Sequence, residues 1–217
     1  MSVTDNLKAR WRAHVQMLGN FNAEIVGRTF DHLCASYSEP NRRYHTLAHL
    51  TALFDCLELH ADEIGEPARL AFAAWYHDIV YDPRRTDNEA KSAERAMKEL
   101  DDLGAGSALR SGVVQLILAT KNHMEGGRDY DDEIFLDADF AILGAPEETY
   151  RQYVRDVRAE YAHVTDADWK TGRSTFLKKI LSAPRIFRTG IFEGAYAEQA
   201  RKNIAWELAT LEAGSAT

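Results

Sequence analysis

From about residue 5 to 37 the apolar positions Leu7, Trp11 and Val15, then Phe21, Ile25, Phe30 and Leu33, recur at helical spacing. The series breaks near Gly19 and Asn20, which predicts two helices. Ser38-Glu39-Pro40-Asn41 is a turn signal. Leu47, Leu50, Leu53, Phe54 and Leu57 then carry a third helix, expected to start just before His45 and to end by Gly65 and Pro67. Pro67 suits the first turn of a fourth, whose apolar run (Leu70, Phe72, Ala73, Ala74, Trp75) leads straight into Tyr76-His77-Asp78, so His77 and Asp78 belong near its C-terminus. Further helical patterns cover about 87–102, 107–122, 131–143, 146–162, 165–181 and 193–212.

No segment sustains strand alternation, and the β-branched run from Val113 to Ile117 fits the buried face of a helix. The expected fold is all-α. No linker composition and no repeat of fixed period divides the 217 residues, which suggests a single compact domain. Its core would span about 21–143, with C-terminal helices over about 146–212 packed on it.

Charge narrows the partners. Lys plus Arg number 26 against 34 Asp plus Glu, a formal net charge of −8, so no chain-wide basic field attracts nucleic acid polymers or an anionic membrane. An anionic substrate has to be held by local positive charge. Cys34 and Cys56 form neither a disulfide framework nor a paired zinc motif, which fits a reducing, cytoplasmic setting. The first fifteen residues lack the pattern of an export signal, and no apolar run of about 18 residues suggests a membrane span. The sequence carries no signal of oligomeric state.

Three short segments concentrate metal-binding and acid–base groups. In Tyr44-His45-Thr46-Leu47-Ala48-His49 two histidines four apart would share one helix face. In Ala73-Ala74-Trp75-Tyr76-His77-Asp78 an imidazole and a carboxylate stand side by side after an apolar helix. Adjacent helical positions diverge by about 100°, so sharing one ion requires distortion or a site at the helix end. A bound cation would offset the desolvation of such a pair. In Glu133-Ile134-Phe135-Leu136-Asp137-Ala138-Asp139-Phe140 two carboxylates interrupt an apolar helix, and their plain alternative is an N-cap at Asp137 with a solvated first-turn acid at Asp139.

The order His49, His77-Asp78, Asp139 resembles the HD superfamily of metal-dependent phosphohydrolases. The likeness extends to a narrower group of predicted HD phosphohydrolases through Glu39-Pro40-Asn41-Arg42-Arg43-Tyr44-His45-Thr46, Asp87-Asn88-Glu89, Thr120-Lys121-Asn122-His123 and Gly172-Arg173, over about residues 5–212. It implies a helical bundle of HD type, with a divalent metal on His49, His77, Asp78 and Asp139. Mixed imidazole and carboxylate ligands suit Mn, Fe, Co, Ni or Zn and tolerate Mg less well. The Tyr44-His45 pair ahead of His49 is similar to the motif of cyclic-nucleotide phosphodiesterases, which implies His45 as general acid, with Asp78 or Asp139 as proton partner.

His123 could face a second metal, contact substrate phosphate or end its helix. Glu89 either lies beside the metal or is a first-turn acid behind an N-cap at Asp87. Arg42, Lys121 and Arg173 are candidate phosphate contacts, their commoner alternative being surface salt bridges. The expected activity is hydrolysis of a small phosphate ester or nucleotide by metal-activated water. The rivals are a non-catalytic metal- or nucleotide-binding module and a di-iron HD-type oxygenase. Related oxygenases use two histidines where this chain offers only His123, which weighs against the second rival.

Overall fold

A computed structural model describes residues 2–19 and 21–213. Asn20, at the expected break between the first two helices, lies outside the described residues. Among those described there are ten α-helices and no strand. They are α1 (Val3–Gln16), α2 (Ala23–Ser36), α3 (Leu47–Leu59), α4 (Pro67–Tyr76) and α5 (Asn88–Asp102), then α6 (Ser107–Ala119), α7 (Tyr130–Phe140), α8 (Glu147–Glu160), α9 (Asp166–Ser182) and α10 (Gly190–Ala213). Short 3-10 turns over Thr120–Glu125 and Ala141–Gly144 follow α6 and α7. No helix among the described residues is long and apolar enough to cross a membrane.

The centre of the fold is α4. Every residue from Arg69 to Tyr76 is buried, as expected for a helix that is apolar nearly all round. Pro67 opens it, where the missing N–H has no helical partner to lose. Trp75 meets Trp11 of α1 edge-on at 5.4 Å, Phe30 of α2 at 6.3 Å and Phe54 of α3 at 4.7 Å between ring centroids. These contacts fasten the first three helices around α4. α6 packs against α4 and α5, and α7 against α3 and α4. α10 lies on α9 and on the turn after α7, so one continuous apolar core runs from Leu7 to Ile204.

A buried ionic tie sets the register of α4 and α7. Arg69, near the start of α4, reaches Asp129 at 2.9 Å and Asp132 at 3.0 Å, at the start of α7. Asp131 accepts the backbone N–H groups of Gly65 and Glu66. With their N-termini joined, two helices of ten and eleven residues also end together. The C-terminal end of α4 therefore delivers His77 and Asp78 beside Asp139, on the last turn of α7. Asp137, two residues earlier and so on the opposite side of the helix, points elsewhere: it accepts from the backbone N–H groups of Arg188 and Thr189 and from the Thr189 hydroxyl, just ahead of α10.

One core histidine couples the fold to pH. His14 accepts a hydrogen bond on Nδ1 from the Trp75 indole, and burial, aided by Arg10, lowers its pKa to about 4. A depressed imidazole is neutral when folded but protonates at about 6.5 when unfolded, so its contribution is harmless above pH 6.5 and destabilising below it. Between pH 6.5 and 4 the loss should grow to the order of 3 kcal/mol. We expect His14→Gln, which keeps an acceptor for the indole, to flatten the acid limb of a melting-temperature profile over that range. Parallel limbs in parent and variant would contradict this.

Candidate metal centre and its cavity

His49, in the first turn of α3, and His77, at the C-cap of α4, bring their Nε2 atoms within 3.1 Å of each other. Asp139 Oδ1 lies 3.4 Å from the first and 3.6 Å from the second. The ligand atoms of these three residues all fall within 4.8 Å of one another, a group that could hold a metal ion. Asp78 Oδ2 closes on the same space, 3.2 Å from His77 Nε2 and 4.0 Å from His49 Nε2.

These separations match a coordination shell. Metal–ligand bonds of about 2.1 Å place neighbouring donor atoms about 3.0 Å apart in octahedral and about 3.4 Å apart in tetrahedral geometry. His77 Nδ1 lies 3.0 Å from the carbonyl oxygen of Ala74. A proton donated there leaves the Nε2 lone pair aimed into the cluster, the usual support of a metal-bound imidazole. Two buried imidazole nitrogens facing each other at 3.1 Å repel unless a proton or a cation lies between them.

The titration behaviour points the same way. Burial alone would lower the pKa of His77, but Asp78 and Asp139 outweigh it and raise that pKa well above the usual value. Burial dominates at His49 and lowers its pKa, despite Asp139. Asp78 and Asp139 are pushed well below the carboxylate range because His77 overrides their desolvation. The cluster thus recruits positive charge.

Helix ends make this convergence possible. His77 is the C-cap of α4 and Asp78 the residue after it, and at this helix end their side chains meet, His77 Nε2 lying 3.2 Å from Asp78 Oδ2. Arg42 holds the chain past that end. Its buried guanidinium donates to the carbonyls of His45 at 3.2 Å, Asp78 at 2.7 Å and Ile79 at 3.0 Å. All of this corrects the expectation of a phosphate contact, because Arg42 is committed to backbone oxygens and forms no part of the cavity wall.

His45 needs a second correction. α3 begins at Leu47 with Thr46 as N-cap, its hydroxyl accepting from Ala48 N, so His45 sits in the turn before the helix and not on its face. The cause is Glu160, the last residue of α8. Its Oε1 accepts the backbone N–H groups of Arg43, Tyr44 and His45 at 2.7, 2.8 and 3.0 Å. Its Oε2 takes His45 Nδ1 at 2.7 Å and the Tyr81 hydroxyl at 2.8 Å. Burial would raise the Glu160 pKa, but these donors, His45 first, lower it to about 2. His45 still reaches the centre: its ring stacks on Tyr81 at 4.1 Å, and its Nε2 lies 3.9 Å from Asp78 Oδ2. Burial works against its protonation, yet Asp78 and Glu160 raise its pKa overall.

A cavity of about 540 Å³ opens over the centre, of the size that small-molecule sites use. His123 faces it and holds Asp139 Oδ2 at 2.8 Å while stacking on Phe140 at 4.1 Å. Glu89 and Arg173 are in its wall. Arg173 is buried and bonded through Nε and Nη2 to Glu207, which fixes the guanidinium in place. Lys121 is a third correction, since its ammonium donates to the Thr86 carbonyl and does not line the cavity. Asp87 occupies the N-cap position of α5 but spends its carboxylate on Arg85, leaving no cap bond.

Sequence reasoning missed Glu160, Tyr81 and Arg85, the last a cation in the cavity wall. Glu160 left a trace: it continues the inward stripe Tyr150, Tyr153, Val157 of α8, where an apolar residue is expected. The chain matches no family model, no curated protein and no solved structure.

A cation bound by groups from α3, α4 and α7 stabilises only the folded chain. We expect removal of metal by chelator to lower the melting temperature by several degrees, and His77→Ala or Asp139→Ala to lose most of the bound metal. Metal analysis of the purified variants checks the ligands. Parental metal content in both would remove the assignment.

Proposed function

We propose that the protein is a metal-dependent phosphohydrolase acting on a small phosphate ester or nucleotide. The observation that carries this reading is the meeting, in one cavity, of a metal-ligand cluster with an imidazole built to donate a proton. His49, His77, Asp139 and Asp78 would hold the divalent ion; the resemblance of His49, His77-Asp78 and Asp139 to the HD phosphohydrolases supports that set. Held by these residues, a divalent ion would supply a water of lowered pKa and an offset for charge on the phosphoryl group.

The chain's own residues do the rest. Glu160 accepts His45 Nδ1–H, so the second ring proton of the imidazolium sits on Nε2, the atom on the Asp78 side. Tyr81 stacks against the ring and restrains its rotation. Asp78 favours the charged form. His45 is then the general acid that protonates the leaving oxygen, and Glu160 its positioning residue. His123 orients Asp139 and, with His77 first, holds that carboxylate in its ionised form. Arg85, a cation in the cavity wall, is the phosphate-side cation, while Arg173 in the same wall is held by Glu207. A net charge of −8 disfavours long polyanions and leaves small esters as the substrate class.

The test separates acid from ligand. His49→Ala should lose metal and activity together. By contrast, His45→Ala should keep the metal and lose roughly 10² to 10⁴ in kcat, the usual contribution of general acid catalysis. The loss should shrink on a nitrophenyl ester, whose leaving group needs less protonation. Equal losses on good and poor leaving groups would remove the acid role, and metal loss from His45→Ala would make His45 a ligand. A metal-loaded protein that turns over no phosphorylated metabolite would be a binding module.

A further inference from the structure

In the interior of α9 stands a glycine, Gly172, at a position where alanine would be more favourable by about 1 kcal/mol. Packing does not demand it. A Cβ placed there meets no heavy atom within 4 Å, so no close approach of another element excludes a side chain. What Gly172 adjoins is the cavity over the metal centre, which it lines together with Trp169 three residues earlier and Phe176 four residues later. These positions share one helix face. Two large rings therefore flank a gap where a side chain is missing.

The surroundings of the gap suit a flat ligand. Arg173 presents its guanidinium 5.9 Å from the Trp169 ring centre and 5.3 Å from that of Phe176, and Glu207 balances its charge. Phe176 remains 37 % exposed, so part of its ring is open to a ligand. Phe140 meets Phe176 edge-on at 6.4 Å and stacks on His123, which holds the metal-ligand carboxylate. An aromatic wall thus leads from the gap to the catalytic groups.

We infer that the Gly172 slot is a subsite for a planar aromatic ring carried by the substrate, which makes the substrates phosphomonoesters whose leaving group bears such a ring. Phe176 supplies the exposed stacking face, Trp169, backed by Arg158 and Tyr161, bounds the slot on the other side, the Arg173 guanidinium is a flat cation beside them, and Gly172 gives the room. The phosphate end of this inference rests on the phosphohydrolase reading; the ring end rests on α9 alone. The ring could be a nucleobase or a free-standing heterocycle, and both share the chemistry that the slot recognises.

Benzyl phosphate and cyclohexylmethyl phosphate test it, since they are close in size and leaving group but differ in planarity. We expect the metal-loaded parent to favour the benzyl ester about tenfold in kcat/KM, within the range that base–aromatic stacking supplies. Gly172→Leu should collapse that ratio while melting at or above the parental temperature, because leucine is the better helix former. Gly194→Ala in α10, also a glycine with free space around it, should raise stability without touching the ratio. Quenching of Trp169 fluorescence by benzyl phosphate, assigned with Trp169→Phe, reads binding without turnover. Quenching without hydrolysis would keep the subsite and reject the phosphohydrolase. Equal hydrolysis of the two esters by the parent, or an undiminished preference in Gly172→Leu, would overturn the subsite and leave the phosphohydrolase standing; absence of both hydrolysis and quenching would overturn it as well. A nucleoside 5′-monophosphate compared with pyridoxal 5′-phosphate then tells nucleobase from free heterocycle, either preference supporting the slot.

Discussion

Two imidazole nitrogens and two carboxylates held within a few ångströms of one another, mostly out of water, set the constraint around which this molecule is arranged. Such a group is stable only with positive charge inside it. Without an ion the chain raises the pKa of His77 to supply that charge, at the cost of burying an imidazolium. Much of the surrounding structure holds the lone pairs on target. The Arg69 tie aligns α4 with α7, Arg42 gathers the carbonyls past the end of α4, and His123 and the Ala74 carbonyl fix the orientation of Asp139 and His77.

Around that centre the acidic and basic groups divide their tasks by burial. Among the described residues Arg42, Arg69 and Arg173 are the buried arginines, and each is committed to carbonyls or carboxylates that it positions. Glu160 is the counterpart on the acidic side: one carboxylate organises three consecutive amides and one imidazole. Replacing such a group leaves several buried partners unsatisfied at once, which costs far more than a single surface pair is worth. The wall formed with α9 has a different character: Phe176 stays partly exposed, and Gly172 leaves free space beside it.

The helices were legible because most bury one apolar stripe, and periodicity reports that directly. α4 could be read as central from its unbroken apolar run, and the end of that run located His77 and Asp78 correctly. The start of α3 was not legible. Local sequence allows the helix to begin before His45, and what stops it is a carboxylate 115 residues away that captures the amides of residues 43 to 45. Arg42 and Lys121 were misassigned for a related reason: a cation in a motif looks available until the carbonyls it serves are known. The residues that meet at the candidate centre were legible by type and spacing, whereas the partners that orient them lie on α8 or in distant turns and leave only faint marks, such as an acid on an apolar stripe.

The most direct measurement is a crystal structure of the protein loaded with Mn²⁺, with anomalous scattering used to locate the ion. The account predicts one strong peak between His49 Nε2 and His77 Nε2, within about 2.3 Å of both and of Asp139. Peaks confined to surface carboxylates, with the two rings still sharing a proton, would contradict it.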